Sequence, residues 1–226
     1  MTLTIYSDLD QGTDEWLEAR RGILTASVIG KLITPTLRVA DNDTSRGLLA
    51  TLVAERIAGH VDPTYVNADM WRGVEEEPFA RDAYATHHAP VTEVGFMVRE
   101  VNGTRVGYSP DGLVGDDGLI EIKSRLGKKH IQTVLDDQPP AENMAQLQCG
   151  LWVSGRAWID YVSFCGGMPL WVKRVTPDPD WQSAIRAAVE KFEADAEKAI
   201  AAYRKAVKGL PVMQRPPSLL NPDIEA

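Results

Sequence analysis

Between residues 91 and 123 the apolar pattern changes period, and this change restricts the fold more than any other feature. On either side, apolar residues recur at helical spacing. Leu48, Leu49, Leu52, Val53 and Ile57 do so in one segment, and Ile185, Val189, Phe192, Ala196, Ala199, Ile200 and Tyr203 in another. In the middle they alternate, in short runs over 91–101, 105–109 and 119–123. Asn102-Gly103, Asp111-Gly112 and Asp116-Asp117-Gly118 supply turns between and beside the runs. Strand-like runs enclosed by helical ones predict an α/β fold. Thr13 as N-cap and Gly22 as stop predict a helix over 13–20. A further piece over 28–33 has Thr25 or Ser27 as its cap. The pattern then predicts a loop over 35–45, a helix over 46–58, a loop over 59–65 and a helix over 68–85. Residues 127–140 read as a helix or loop crossing ended by Pro139-Pro140. A helix over 142–153, strands over 157–164 and 170–175, a long amphipathic helix over 181–207 and an extended Pro-rich tail over 211–226 complete the chain. Neither an internal repeat nor a linker interrupts the sequence, so a single domain over 1–226 is expected.

Within the alternating region, Leu119, Glu121 and Lys123 point to one face of a strand, and Ile120 and Ile122 to the other. A carboxylate and an ammonium then stand side by side, with a buried face behind them. Asp111 lies ten positions before Glu121, across a Gly-bounded turn, so a hairpin would fold it back beside Glu121. Two converging carboxylates repel each other unless a cation sits between them. An all-oxygen donor set suits a hard divalent ion, Mg²⁺ or Mn²⁺. Lys123 beside such an ion could orient water or stabilise charge developing on a phosphate. Each piece alone has an ordinary reading, because Asp-Gly is a routine turn and Glu-x-Lys is common on a solvated strand face. Pro-Asp followed by Glu-x-Lys at hairpin distance is much more specific.

The net charge of −8 argues against a passive, wholly basic nucleic-acid coat. It leaves room for a nuclease, whose metal-binding carboxylates add negative charge that the ions offset. No apolar stretch approaches the ~20 residues of a membrane span, and the N-terminus lacks a basic region followed by an apolar run. Cys149 and Cys165 cannot form a disulfide framework and lack zinc spacing, so a reducing compartment is expected. His60, His87, His88 and His130 also lack paired zinc spacing, and His87-His88 reads as an exposed helix end. The absence of a Gly-x-x-x-x-Gly-Lys-Ser/Thr loop removes support for ATP hydrolysis. Most of the tryptophans read as core. Trp71 could stack on a base, but packing is its simpler reading.

Pro110-Asp111 with Glu121-Ile122-Lys123 resembles the PD-(D/E)XK nuclease motif. Three further blocks resemble the phage lambda exonuclease, or YqaJ-like viral recombinase, family. Trp16 with Arg20-Arg21-Gly22-Ile23-Leu24-Thr25-Ala26-Ser27 is similar to its N-terminal signature. Gly73 to Arg81, through Glu77 and Ala80, is similar to its Gly-x-x-x-Glu-x-x-Ala-Arg helix. Gln146, Gln148 and Trp152 are similar to its Gln-x-Gln…Trp helix. The four blocks occur in family order.

The resemblance implies a restriction-endonuclease-like core, with a mixed central sheet flanked by helices. It implies Mg²⁺-dependent 5′→3′ digestion of one strand at double-stranded DNA ends, leaving 3′ single strands for recombination by single-strand annealing. The partners implied are DNA ends, further copies of the chain in a ring-shaped trimer, and a single-strand annealing recombinase. The setting is the cytoplasm, that of a bacterial host if the chain is phage or prophage encoded. By position, Asp111 and Glu121 would bind metal together with the backbone carbonyl of Ile122, and Glu77 would complete the site. Lys123 would be the catalytic lysine and Gln146 the active-site glutamine, with Gln148 two positions along as an alternative and a DNA contact. Arg20, Ser27 and Ser109 would hold the 5′ phosphate and the DNA, since a guanidinium forks onto phosphate oxygens and hydroxyls add donors. Without the resemblance, Arg20 reads as an ion-pair partner of Glu15 or Glu18, and Ser27 as a cap. Glu75 and Glu76 read as a solvated acidic face, and Lys128 and Lys129 as DNA contacts or a solvated pair. Two other functions compatible with the motif are a nuclease that cuts internally or from the 3′ end, and a catalytically silent DNA-binding module.

Overall fold

The computed structural model describes residues 2–62 and 67–214. Residues 63–65 of the expected 59–65 loop and 215–226 of the expected tail lie outside the described residues.

The described residues form two four-stranded mixed sheets and six α-helices. The first sheet has the order β1-β3-β4-β2, with β1 (Thr2–Tyr6), β2 (Leu24–Thr25), β3 (Phe96–Val101) and β4 (Thr104–Tyr108). The second runs β5-β6-β7-β8, with β5 (Gly112–Val114), β6 (Gly118–Ser124), β7 (Trp158–Phe164) and β8 (Trp171–Val175). A bridge between Thr92 and Leu113 links the two. The mixed β-structure flanked by helices expected above is present, and its strands fall into two sheets. The chain leaves β4 at Tyr108 and re-enters a sheet at Gly112 with Leu113 paired to Thr92, which places the Pro110-Asp111 step at the junction.

The β3–β4 hairpin turns at Asn102-Gly103, both with positive φ, as the sequence predicts. Asp111-Gly112 differs from expectation: Gly112 opens β5, and the tight turn lies at Gly115 to Asp117. Pairing of Gly112 with Ile120 and of Leu113 with Leu119 still folds Asp111 back beside Glu121. β6 and β7 are parallel, and the crossover between them consists of α4 (Gly127–Asp136) and α5 (Ala141–Ser154). Asp137, with φ 48°, ends α4 ahead of Pro139-Pro140.

Several other boundaries moved for local reasons. Thr13 caps α1 (Asp14–Arg20) as expected. The 28–33 segment is a 3₁₀ turn, Ile29–Leu32, and its cap position is Val28 with no side-chain bond; Thr25 and Ser27 bond each other instead. Helix α2 (Asp43–Ala58) starts inside the expected loop because Asn42 and Ser45 form a reciprocal capping box. The alternation of Thr2 to Tyr6 forms a largely exposed edge strand, and β2 is two residues held parallel to β4.

α3 (Ala68–His87) packs Ala80 and Tyr84 against Ile120, Ile122 and Val162 of the second sheet. A larger core joins both sheets, through Met97 and Tyr108 on one side and Leu119, Ile159 and Tyr161 on the other. α5 contributes Leu147 and Leu151, and α6 (Pro179–Ala206) contributes Ile185, Val189, Phe192 and Ala196. Tyr203 runs off the α6 stripe and is exposed.

Candidate active site

The bend after β4, the strand β6 and the helices α3 and α4 meet at one cleft of ≈ 860 Å³, lined among others by Glu77, Asp111, Ile122, Lys123 and Lys128. β6 is buried on both faces, so Glu121 is only 1% exposed although it is a carboxylate. A buried charge of this kind must be bonded on every side, and Glu121 is. Its Oε2 accepts from the Tyr108 hydroxyl at 2.9 Å, and its Oε1 accepts from Lys123 Nζ at 2.6 Å and from Gln146 Nε2 at 2.5 Å. Asp111 Oδ2 accepts from the backbone amide of Ile122 at 2.6 Å. The structure thus brings Asp111, Glu121, Lys123, Ile122 and Gln146 together.

Electrostatics describe the same cluster. Burial first, then the charges of Glu121 and Glu77, push Asp111 well above the usual carboxyl range. Burial raises Glu77 as well; Arg81 opposes that rise and Glu121 adds to it. For Lys123, burial alone favours the neutral amine, but Glu121 and Asp111 outweigh it and the net shift is upward. Lys123 is therefore a cation held by two carboxylates. Tyr108, buried beside Glu121 and Asp111, is raised far above its ordinary value and remains a hydrogen-bond donor.

Glu77 reaches the cleft from α3 but is ion-paired to Arg81 one turn along. Among the described residues no three His, Cys, Asp or Glu side chains close into a ready metal cage. Glu121 nevertheless acts on both Asp111 and Glu77, so the three carboxyls share one field, and all their donors are oxygens. That donor set fits a hard divalent cation.

On the far side of Asp111 lies a second cleft of ≈ 530 Å³, which shares Glu77 and Asp111 with the first and adds Trp16 and Arg81. Arg20 turns to Ser109 and Trp16 rather than to Glu15 or Glu18. Its Nη1 donates to Ser109 Oγ at 3.0 Å, and its guanidinium lies 3.8 Å from the Trp16 ring centre. Trp16 Nε1 donates to the same hydroxyl at 3.0 Å. Burial lowers Arg20 to about 10, against the pull of Glu55, so it stays charged at neutral pH. Glu18 pairs with Arg21 instead. Ser27 is exposed and bonds the Thr25 hydroxyl at 3.0 Å; β2 places that pair next to Gly107, two residues before Ser109.

Gln148 requires a correction. It is 1% exposed and faces away from the cleft. Its Nε2 donates to the Thr176 carbonyl at 2.9 Å, and its Oε1 accepts from the Asp178 amide at 2.9 Å and from Gln182. Two positions along a helix is a rotation of about 200°, so one glutamine takes the site and the other the core. Glu76 is corrected too: it accepts from the Ser124 hydroxyl, tying α3 to β6, while Glu75 is exposed as expected. Trp71 is 58% exposed rather than packed, and Met70, Val74 and Phe79 on the same helix are also exposed. Lys129 pairs with Glu142, and Lys128 lines the cleft. Reading the residue types missed Arg81 and Tyr108. Arg81 had a visible signal, its i,i+4 spacing from Glu77; Tyr108 had none beyond its place two residues before Pro110.

Residues 15–157 match the YqaJ-like viral recombinase domain family. The structure superposes on an alkaline exonuclease from Laribacter hongkongensis, LHK-Exo, with a TM-score of 0.77 and 33% identity over 88% of this chain and 100% of that one. The same enzyme in complex with dAMP matches equally well. A phage-related exonuclease from Haemophilus somnus 129PT shares the fold at a TM-score of 0.60 and 12% identity, over 80% of this chain and 96% of that one. No curated protein sequence matched.

Proposed function

The chain belongs to the YqaJ-like viral recombinase domain family and is a DNA exonuclease, and we propose that it digests one strand of double-stranded DNA from the 5′ end. It leaves 3′ single strands for single-strand annealing. The observation that carries this reading is the convergence of Asp111, Glu121 and Lys123 beside Gln146.

Asp111, Glu121, Glu77 and the carbonyl of Ile122 would hold Mg²⁺, or Mn²⁺ in its place. Such an ion supplies an activated water and charge stabilisation at the scissile phosphate. Lys123, kept cationic by its two carboxylates, stabilises charge building on the phosphate oxygens. Gln146, sharing Glu121 Oε1 with Lys123, orients the carboxylate and meets the scissile strand. Arg20, fixed between Trp16 and Ser109, receives the terminal phosphate, with Ser109 and Ser27 as hydroxyl donors. The product is a deoxynucleoside monophosphate, the class to which the dAMP bound by the Laribacter enzyme belongs. A lone chain of charge −8 repels duplex DNA at long range. A ring-shaped trimer enclosing the duplex overcomes this by geometry, and the annealing protein takes up the strand left behind. The setting is the cytoplasm, that of a bacterial host if the chain is phage or prophage encoded.

The test is a time course on linear duplex labelled at either end and carrying a 5′-phosphate or a 5′-hydroxyl. The 5′ label should be released first. The phosphorylated end should be digested about ten-fold faster or more, since a charge-assisted hydrogen bond contributes about 1.5–3 kcal/mol. Arg20→Ala should shrink that preference. First release of the 3′ label, or a full preference in Arg20→Ala, contradicts the proposal.

A further inference from the structure

Glu77 and Asp111 come from separate parts of the chain, a helix and a bend between strands, and the packing of α3 on β6 brings the two elements together without joining these two groups. One side chain bonds both. Arg81, 14% exposed, donates from Nη2 to the carboxylate of Glu77 and from Nε to the backbone carbonyl of Asp111 at 2.8 Å, and its Nη1 forms an ion pair with the exposed Glu93 Oε2 at 2.8 Å. All three nitrogens of the guanidinium are used, each on a different segment. Glu93 precedes β3, so the ion pair lies beside the Thr92–Leu113 bridge that joins the two sheets. A planar fork with fixed donor directions holds the Glu77 carboxylate and the Asp111 carbonyl in one relative arrangement; a flexible ammonium does not.

We propose that Arg81 is a positioning residue that fixes the Glu77 carboxylate against the backbone of Asp111 and so sets the spacing at which the two carboxylates meet a divalent cation. The inference rests on the metal-dependent reading above, but not on the direction of digestion. Charge and geometry here have opposite signs. A cation beside Glu77 opposes metal binding by repulsion, whereas a fork that pre-positions two ligands favours it by removing the need to order them on binding. Arg81→Lys separates the two, because it keeps the charge and loses the fork.

The test measures Mn²⁺ binding by the intact protein from the electron paramagnetic resonance signal of the free ion, with no DNA present. In parallel, the Mg²⁺ concentration giving half-maximal digestion of linear duplex is determined. Arg81→Lys should bind Mn²⁺ about ten-fold more weakly or worse and need correspondingly more Mg²⁺, while regaining most of its kcat at saturating Mg²⁺. Its affinity for duplex in a chelator should stay at the wild-type value. A merely structural role would lower the fraction of active protein without moving either midpoint, and thermal unfolding monitors that fraction. Wild-type Mn²⁺ affinity in Arg81→Lys overturns the proposal. A wild-type protein that binds Mn²⁺ yet leaves DNA intact would overturn the nuclease reading instead, and the Mn²⁺ comparison would still decide the role of Arg81.

Discussion

Asp111 makes a favourable bond and an unfavourable one with the same carboxylate. It accepts from the Ile122 amide while facing Glu121 and Glu77 at a pKa well above the ordinary value of 3.8. A carboxyl raised by folding contributes stability that is complete below its unfolded pKa and is lost as pH rises through its folded pKa. Glu77 shifts in the same direction. Without metal, the protein should therefore lose stability between acid pH and the raised values of this pair, and Mg²⁺ should restore it. Asp111→Asn removes one charge but keeps an oxygen for the Ile122 amide. It should melt higher than wild type in chelator at alkaline pH, by about 2–4 °C for each kcal/mol of repulsion relieved. Asp111→Ala confounds the comparison, because an orphaned buried amide costs about 1–3 kcal/mol. Thermal unfolding of the asparagine variant across pH is the check, and a lower melting temperature than wild type at alkaline pH would contradict the electrostatic reading.

Among the elements, α5 joins chemistry to stability. Gln146 on one face bonds Glu121, and Gln148 on the other ties the helix to Thr176, Asp178 and Gln182 at the start of α6. Gln148→Ala should destabilise the fold by about 1–3 kcal/mol, the range for leaving buried polar partners unsatisfied, with kcat preserved in the folded fraction. Gln146→Ala should do the reverse. Denaturant melts and single-turnover rates separate the two, and matching profiles for both variants would refute the division. The sequence showed both glutamines but not which face was which, because both faces of α5 are largely covered and burial hides the amphipathic signal. Elements bounded by turn chemistry were legible: the Asn102-Gly103 hairpin, the cap at Thr13 and the long stripe of α6. Elements held by their neighbours were not. β2 exists only because Leu24 and Thr25 find Val106 and Gly107, and the early start of α2 rests on one reciprocal cap in a polar stretch. For the site, the alternation of β6 and its distance from Asp111 were readable. The bonds of Arg81 to Asp111 and of Tyr108 to Glu121, and the ion pair of Arg81 with Glu93, depend on tertiary placement that no local pattern encodes.

On the scale of the whole molecule, the acidic charge and the cleft pull in different directions. The chain carries 32 acidic and 24 basic residues, while Lys123, Arg125, Lys128 and Lys129 line the cleft that also holds Asp111. Enclosure by several copies is the proposed resolution. Sedimentation at working concentration should therefore give an active species heavier than the 24.9 kDa chain, and an active monomer would refute it. The most direct test of the central claim compares nucleotide release from linear and covalently closed circular duplex, with Mg²⁺ or with chelator, by wild type and Asp111→Asn. Wild type should digest the linear form only, and only with Mg²⁺, while the folded variant should digest neither. Digestion of linear duplex by Asp111→Asn at the wild-type rate, or equal attack on the closed circle by wild type, would contradict an end-dependent nuclease built on this carboxylate cluster.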